Sequence, residues 1–501
     1  MKKGIPDSWL FLSIIAIGIY FFIRLIDQAK MLSFFPLDFS NDYSSHMAQL
    51  YFLGECGFHN LCGYWYNGYT LFEAYTPLWY TYTDLFFSAF NNILHSTYFS
   101  VISLFLLAFI IIFLFGKLFK LSIAKRIVFF LFLFANPVAI GNFIRLGRVT
   151  ELISWVVFLV LAFMIFWYKD HKLDWKFLLF IPFYFLLMLG HPMITILFHI
   201  LLLSLLLVKT WRERLIIIGS ILLGLLASAF WWIPYLISSL QSTATEVIVG
   251  GRFWELSGTW FLTNIVSFIV PLALWIVFFW YVKDKNKKRE FTFFFPIFIL
   301  SLLVFFRITP FIPGLQLIYP DPYTQFFLFF LVFYFLSINL KKISKISKVL
   351  ILLGLLLVPI LSIGMSLNHT PWFADSYDEI TEETLTLLPL IPTDEKFIIN
   401  QCEDEGCCKL PGCRILAIYA YAPIYYDLST PNGYSSNEID SEYLERLNDI
   451  TYLGLTCDEY IEELEYFETD YIISYVQNCD ALKACGLEVV ESTEHACLLK
   501  V

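Results

Sequence analysis

The chain has 501 residues, of which 58% are hydrophobic, 19% aromatic and only 15% charged. A soluble chain carries about a quarter charged residues, so a set of ordinary soluble domains is excluded. The net charge of −10 is held unevenly, as −21 on residues 368–501 and +11 on the rest, and an acidic surface of that kind repels nucleic acid and anionic headgroups.

Apolar runs of about 16 to 24 residues, each enough for a hydrocarbon core about 30 Å thick, fill most of the first 367 positions. In chain order they predict spans at 9–26, 97–115, 127–142, 150–168, 176–190, 192–208, 215–237, 260–282, 291–306, 324–340 and 349–367, about eleven in all. The first is long and has no small-residue cleavage site, so it reads as an uncleaved anchor. The fifth and sixth meet at Gly190-His191-Pro192, as a tight hairpin or as one broken segment. The expected fold is an α-helical polytopic membrane domain over 1–367, with residues 27–96 as a long first outer loop. A small α/β domain, acidic and rich in cysteine, follows over 368–501.

Basic residues are retained on the cytoplasmic side of a membrane. With the N-terminus inside, the inner segments hold 21 Lys and Arg and the outer side before residue 368 holds six: Arg24, Lys30, Arg145, Arg148, Arg252 and Arg307. That asymmetry predicts an extracytoplasmic C-terminus. All ten cysteines fall in segments assigned outside: Cys56, Cys62, Cys402, Cys407, Cys408, Cys413, Cys457, Cys479, Cys485 and Cys497. An even number in an oxidising space points to disulfides. Sequence suggests only the Cys56–Cys62 pair, and the cluster from Cys402 to Cys413 leaves a metal site as the alternative.

Candidate chemistry follows the outer ends of the spans, because charge within the bilayer is costly. The first loop holds Asp38, Asp42, His46, Glu55, Glu73 and Asp84. Asp42 and His46 are four apart, one helical face, beside Met47, Leu50, Tyr51 and Gly54, as in a helix lying on the interface. Asp42 is then a general base oriented by His46, or a helix cap. Asn136-Pro137 is followed by Arg145, Arg148 and Glu151. Two guanidiniums at a span mouth suit a phosphate, while the structural alternative pairs Arg148 with Glu151. Arg252 and Arg307 are further outer cations. His191 reads as a turn residue or a cleft residue. Phe230-Trp231-Trp232-Ile233-Pro234 has the character of an interfacial belt, and Glu246 and Glu255 follow in the next outer loop.

In the tail, Phe397-Ile398-Ile399, Ile415-Leu416-Ala417-Ile418 and Tyr471 to Tyr475 read as strands. Ser441 to Ile450 and Asp458 to Phe467 read as helices. The sequon Asn368-His369-Thr370 accords with an outside position. No Walker loop, GxGxxG, HExxH or internal repeat is present, which leaves nucleotide hydrolysis and nicotinamide chemistry unsupported.

Taken together, these pieces resemble the GT-C class of membrane glycosyltransferases, and more closely the prokaryotic 6-pyruvoyl-tetrahydropterin synthase-related membrane proteins. The matching pieces are the first outer loop with Asp42 and His46, Arg145 to Glu151, and Phe230 to Pro234. In the tail they are the Gly433-Tyr434 pair, Tyr471-Ile472-Ile473 and the terminal Cys497 to Val501. The resemblance implies transfer of a sugar from a polyprenyl-phosphate donor to a glycan, lipid or protein acceptor on the outer face. The base role falls on Asp42, with Asp38 second, and the lipid-phosphate role on Arg145 and Arg148. The chain departs from protein O-mannosyltransferases in lacking an adjacent acidic pair after the first span. It departs from oligosaccharyltransferases in lacking a WWDYG-type motif. Asp321-Pro322-Tyr323-Thr324-Gln325 stands where an arginine is expected before a late span.

A lipid phosphate is already a good leaving group, so cations suffice to stabilise it. One base is enough for inversion. No cofactor is called for, and nothing in the sequence demands a divalent metal. Two other classes compete: a lipid or polysaccharide transporter, for which no inverted repeat is seen, and a non-enzymatic surface assembly protein whose acidic tail binds a partner.

Overall fold

A computed structural model describes residues 5–37, 42–73, 75–241, 261–400, 415–434, 439–451 and 455–501. The chain forms two compact units. The first comprises Met1–Gln28, Ser100–Phe230 and Val247–Trp372, and the second Ala29–Phe99, Trp231–Glu246 and Phe373–Val501. This division does not follow the linear one at residue 367, because most of the first outer loop folds with the tail.

The first unit is helical. Among the described residues, five helices are long and apolar enough to cross a membrane: Phe11–Leu32, Ile93–Leu118, Val149–Asp170, Thr263–Tyr281 and Lys345–His369. Two bent pairs bring the number to seven if each is one span: Ile123–Phe134 with Pro137–Leu146 at 53°, and Trp211–Ala227 with Ala229–Ser238 at 73°. The sequence count of about eleven includes helices below that length, among them Trp175–Met188, Pro192–Val208 and Pro320–Leu336. The apolar window of Val149–Asp170 is 100% buried inside the unit, as expected of a helix that is hydrophobic all round. At its far end Lys169 Nζ lies 2.7 Å from both carboxylate oxygens of Glu290, fastening it to Lys287–Phe305.

The first bend has a local cause. Pro137 has no amide hydrogen to continue the Ile123–Phe134 helix. Asn136 restarts the backbone by accepting from Ala139 N at 3.0 Å, with Pro137 in the first turn. The next turns widen to a π-helix over Ile140–Leu146, closed by Gly147 at φ 80°. Such widened turns are frequent at functional sites.

In the second unit, β1 (Leu61–Cys62) and β2 (Tyr69–Thr70) form a hairpin in the first-loop segment. In the tail, β3 (Phe397–Asn400), β4 (Tyr471–Tyr475), β5 (Glu488–Ser492) and β6 (Ala496–Lys500) form a sheet in the order β3-β4-β6-β5. β3 pairs parallel with β4, and the other neighbours are antiparallel. Loop and tail interlock: Trp65 Nε1 donates to Tyr419 O at 2.8 Å, Asn67 Nδ2 to Phe467 O at 2.9 Å, and Thr430 N to Tyr64 O at 2.9 Å. Disulfides join Cys56 to Cys62, Cys457 to Cys485 and Cys479 to Cys497. Cys402, Cys407, Cys408 and Cys413 lie outside the described residues.

One predicted element is corrected. Residues 415–418, expected as a strand, begin the helix Ile415–Tyr426. A short apolar run fits a buried helix as well as a buried strand, and this helix packs against Tyr43–Cys56 of the first loop. The strands at 397 and 471 and the helices at 441 and 458 are present, as Phe397–Asn400, Tyr471–Tyr475, Ser441–Thr451 and Cys457–Tyr466.

Candidate functional site

Among the described candidate residues, Asp42 and His46 belong to the second unit, and Arg145, Arg148, Glu151, His191 and Arg307 to the first. In the second unit, Asp42 precedes the Tyr43–Cys56 helix at the N-cap position, and its side chain makes no capping hydrogen bond. Tyr434 shares a side-chain hydrogen bond with Ser44 and feels the Asp42 charge. Burial first, and that charge second, push the Tyr434 phenol upward. His46 is buried, with Nδ1 2.7 Å from Tyr80 Oη and its ring among those of Tyr75, Trp79 and Tyr80. The helix is buried around most of its surface from Tyr43 to Leu50, where the sequence suggested one face laid on the interface. Asp38 lies outside the described residues.

Tyr434 and Tyr80 are the partners that sequence reading left unassigned. Tyr434 carried a signal only as half of a Gly-Tyr pair, more than three hundred positions from the aspartate it adjoins.

In the first unit, Arg148 sits where the π-helix ends and Val149–Asp170 begins. Its Nη1 lies 2.5 Å from Asp321 Oδ2 and 3.4 Å from Glu151 Oε1, and its guanidinium carbon is 5.3 Å from the Tyr319 ring centre. Asn142 Nδ2, on the π-helix, also donates to Asp321 Oδ2 at 2.5 Å. Asp321, standing where an arginine was expected, thus draws in the cation placed opposite it. Asp321 and Glu151 are buried. Asp321 Oδ1 has no hydrogen-bond partner, and an unmet buried acceptor costs about 1–3 kcal/mol.

His191 belongs to the same neighbourhood. Its backbone N–H donates to Ser154 Oγ at 2.6 Å, and its Nδ1 has no hydrogen-bond partner. Burial, then the Arg148 charge, lower the imidazole to about 3, so it is neutral at physiological pH. Arg145 is buried in the last turn of the π-helix, near enough to Arg24 for their charges to interact.

Arg307 is bonded to the Phe261–Tyr281 helix. Nη1 donates to Ser267 Oγ at 2.8 Å, Nη2 to Asn264 O at 3.0 Å, and the guanidinium carbon stacks 3.7 Å from the Phe268 ring centre. Those contacts bind the loop after Lys287–Phe305 to the Phe261–Tyr281 helix. Arg252 and Glu246 lie outside the described residues. Among the described residues, the one His/Cys/Asp/Glu group whose ligand atoms converge within 4.8 Å is Glu383, Glu494 and His495, away in sequence from the candidate base and phosphate-binding residues.

No protein-family model matches the sequence, and no curated protein matches it. Solved structures do. The arabinofuranosyltransferase AftD from Mycobacteria, in a mutant form, aligns at TM-score 0.57 with 13% identity, over 95% of this chain and 37% of its own. ArnT from Cupriavidus metallidurans aligns at TM-score 0.56 with 11% identity, over 98% of this chain and 97% of its own. The archaeal oligosaccharyltransferase AglB from Archaeoglobus fulgidus, bound to an inhibitory peptide and a dolichol-phosphate, aligns at 0.55 with 10% identity, over 95% and 72%. This chain therefore spans little more than a third of AftD. The neighbours are glycosyltransferases of the GT-C fold, and at these identities the likeness establishes the fold.

Proposed function

We propose that the protein transfers a sugar from a polyprenyl-phosphate donor to an acceptor at the extracytoplasmic face of a membrane, with Asp42 as the base. The observation that carries this reading is the likeness over nearly the whole chain to GT-C fold glycosyltransferases. One of them, AglB, was solved with a dolichol-phosphate bound. Within that class the sequence layout resembles the 6-pyruvoyl-tetrahydropterin synthase-related membrane proteins. The distribution of Lys and Arg supports a cytoplasmic N-terminus and an extracytoplasmic second unit.

In the proposed step the Asp42 carboxylate takes the proton of an acceptor hydroxyl as that oxygen attacks the anomeric carbon. The bond from that carbon to the lipid-phosphate oxygen breaks, and the phosphate leaves with the electron pair. The sugar inverts, because one displacement occurs. Arg145 and Arg148 stabilise the charge on the departing phosphate. Tyr434, beside Asp42, orients the base, and His46, tied to Tyr80, braces the helix that carries it.

The test is Asp42→Asn in isolated membranes supplied with labelled polyprenyl-phosphate sugars. Removing a general base costs about 10²–10⁴-fold in rate, so transfer falls by that factor while expression and membrane insertion persist. Wild-type transfer by Asp42→Asn would dispose of the base assignment.

A further inference from the structure

Among the described residues, Asp321 Oδ1, a buried oxygen beside Arg148, has no hydrogen-bond partner. Asp321 is 2% exposed, and both bonds it accepts, from Asn142 and Arg148, fall on Oδ2. Those two donors fix the plane of the carboxylate and leave Oδ1 in a set direction with nothing attached. Asp321 lies in the first turn of Pro320–Leu336, where a carboxylate commonly serves the helix by accepting main-chain N–H groups. The capping residue there is Tyr319, with no side-chain cap bond, and Oδ1 makes no such bond either. A buried acceptor left in this way is met by ordered water or by a bound group.

The chemistry of that partner can be narrowed. A phosphate is excluded at Oδ1, because two anions would meet. A divalent metal is disfavoured, because Arg148 occupies the other oxygen and Asp321 belongs to no convergent metal-ligand group among the described residues. What suits a buried, oriented carboxylate oxygen is a neutral O–H donor, the strong pairing of an ionised acceptor with a hydroxyl. His191 Nδ1, on a neutral ring that feels Arg148, is a second polar atom with no hydrogen-bond partner in the same neighbourhood.

We infer that Asp321 Oδ1 accepts a hydrogen bond from a hydroxyl of the donor's sugar. Asp321 is then a specificity-determining residue that reads the sugar, while its Oδ2 holds Arg148 in place. This rests on the transfer reading above and names a residue that reading does not use.

The test measures binding to the full-length protein in nanodiscs with three probes: dolichyl phosphate, dolichyl phosphate mannose and decaprenyl phosphate arabinofuranose. The wild type is compared with Asp321→Asn and Asp321→Glu. The second variant keeps the charge beside Arg148 and displaces the oxygen by one methylene, so it serves if the first fails to fold. The wild type should bind at least one sugar-bearing lipid more tightly than dolichyl phosphate. Both variants should lose about tenfold or more of that affinity, the worth of one charge-assisted bond, and in Asp321→Glu, which keeps the charge beside Arg148, dolichyl phosphate should change by less than about twofold. Equal loss for all three lipids would mean that Asp321 acts only through Arg148, and would overturn the inference. So would unchanged binding in both variants, or a wild type that does not distinguish sugar-bearing from sugar-free lipid. A wild type that binds none of the three defeats the transfer reading itself, which separates the two failures.

Discussion

Arg24 shows what a residue's place in the sequence does not disclose, the partners a cation finds. It counts among the outer cations, yet it is buried. Its Nη1 donates to Thr370 O at 3.2 Å and Nη2 to Pro371 O at 2.7 Å, with the guanidinium carbon 4.4 Å from the Trp372 ring centre. It ties the end of Phe11–Gln28 to the residues after Lys345–His369. Truncation would leave those carbonyls and Asp27 without it, so Arg24→Ala should cost about 3–5 kcal/mol. Thermal unfolding in detergent reads this, and a wild-type midpoint would contradict it.

His495 offers a pH test outside the membrane. Its Nδ1 is 3.1 Å from Glu383 Oε1, and its N–H donates to Oε2 at 2.7 Å. The bond to Glu383, then the charges of Glu383, Glu494 and Glu379, hold the imidazole above its ordinary 6.5. Burial opposes ionisation of Glu383, but bonds from Thr493 and His495 win and lower it below 4.5. The stabilisation linked to His495 is therefore complete below pH 6.5 and is lost as pH rises through the elevated value. The part linked to Glu383 is lost as pH falls through its depressed value. In a proton titration, the His495 midpoint should lie above 6.5 and move down in Glu383→Gln; an unmoved midpoint would refute the pairing.

At this scale the sequence offered Asp42, Arg148 and Glu151 as candidates through residue type and spacing. It could not reveal Tyr434 beside Asp42 or Asp321 beside Arg148, because those neighbours arise from contacts that chain distance does not encode.

Elements were legible where their period was long. Each expected span is largely helical where described, because a continuous apolar run admits only hydrogen bonds made within itself when it lies in lipid. The bends at Asn136 and Ser228 are less legible: Asn136-Pro137 marks the first, and no comparable residue pair marks the second. The helix Ile415–Tyr426 was misread because its environment, not its pattern, decides its state.

Two predictions belong to the elements of the second unit. A methyl group at Gly433 would meet Tyr66 Cε2 at 2.6 Å, Tyr66 Cζ at 2.7 Å and Trp65 Cγ at 3.0 Å. Gly433→Ala should therefore lower stability by about 1–3 kcal/mol, the usual cost of overpacking, with wild-type unfolding as the contrary result. The Cys479–Cys497 and Cys457–Cys485 bridges close 18 and 28 residues. By loop entropy each is worth about 3 kcal/mol. Reduction should bring unfolding of the second unit to a markedly lower temperature, and an unchanged transition would show that the bridges do not support it.

For the molecule as a whole, composition separates a cationic stretch, residues 1–367, from an acidic tail, and the division into units does not follow that line. What composition could not give is that the first loop folds with the tail. The join is made by single bonds such as Trp65 to Tyr419 and Asn67 to Phe467, more than three hundred residues apart. The base candidate Asp42 thus belongs to the same unit as the cysteine-rich tail, and deleting residues 375–501 should abolish transfer along with the folding of the loop.

In the proposed reaction a sugar leaves a polyprenyl phosphate. Purified protein in proteoliposomes, given polyprenyl phosphates that carry radiolabelled sugars together with a membrane extract as the source of acceptor, tests it most directly. Label should move from lipid to acceptor with one free polyprenyl phosphate formed per sugar, and Asp42→Asn should stop both. Label that stays on the lipid with every donor, or that moves equally well without Asp42, would contradict it.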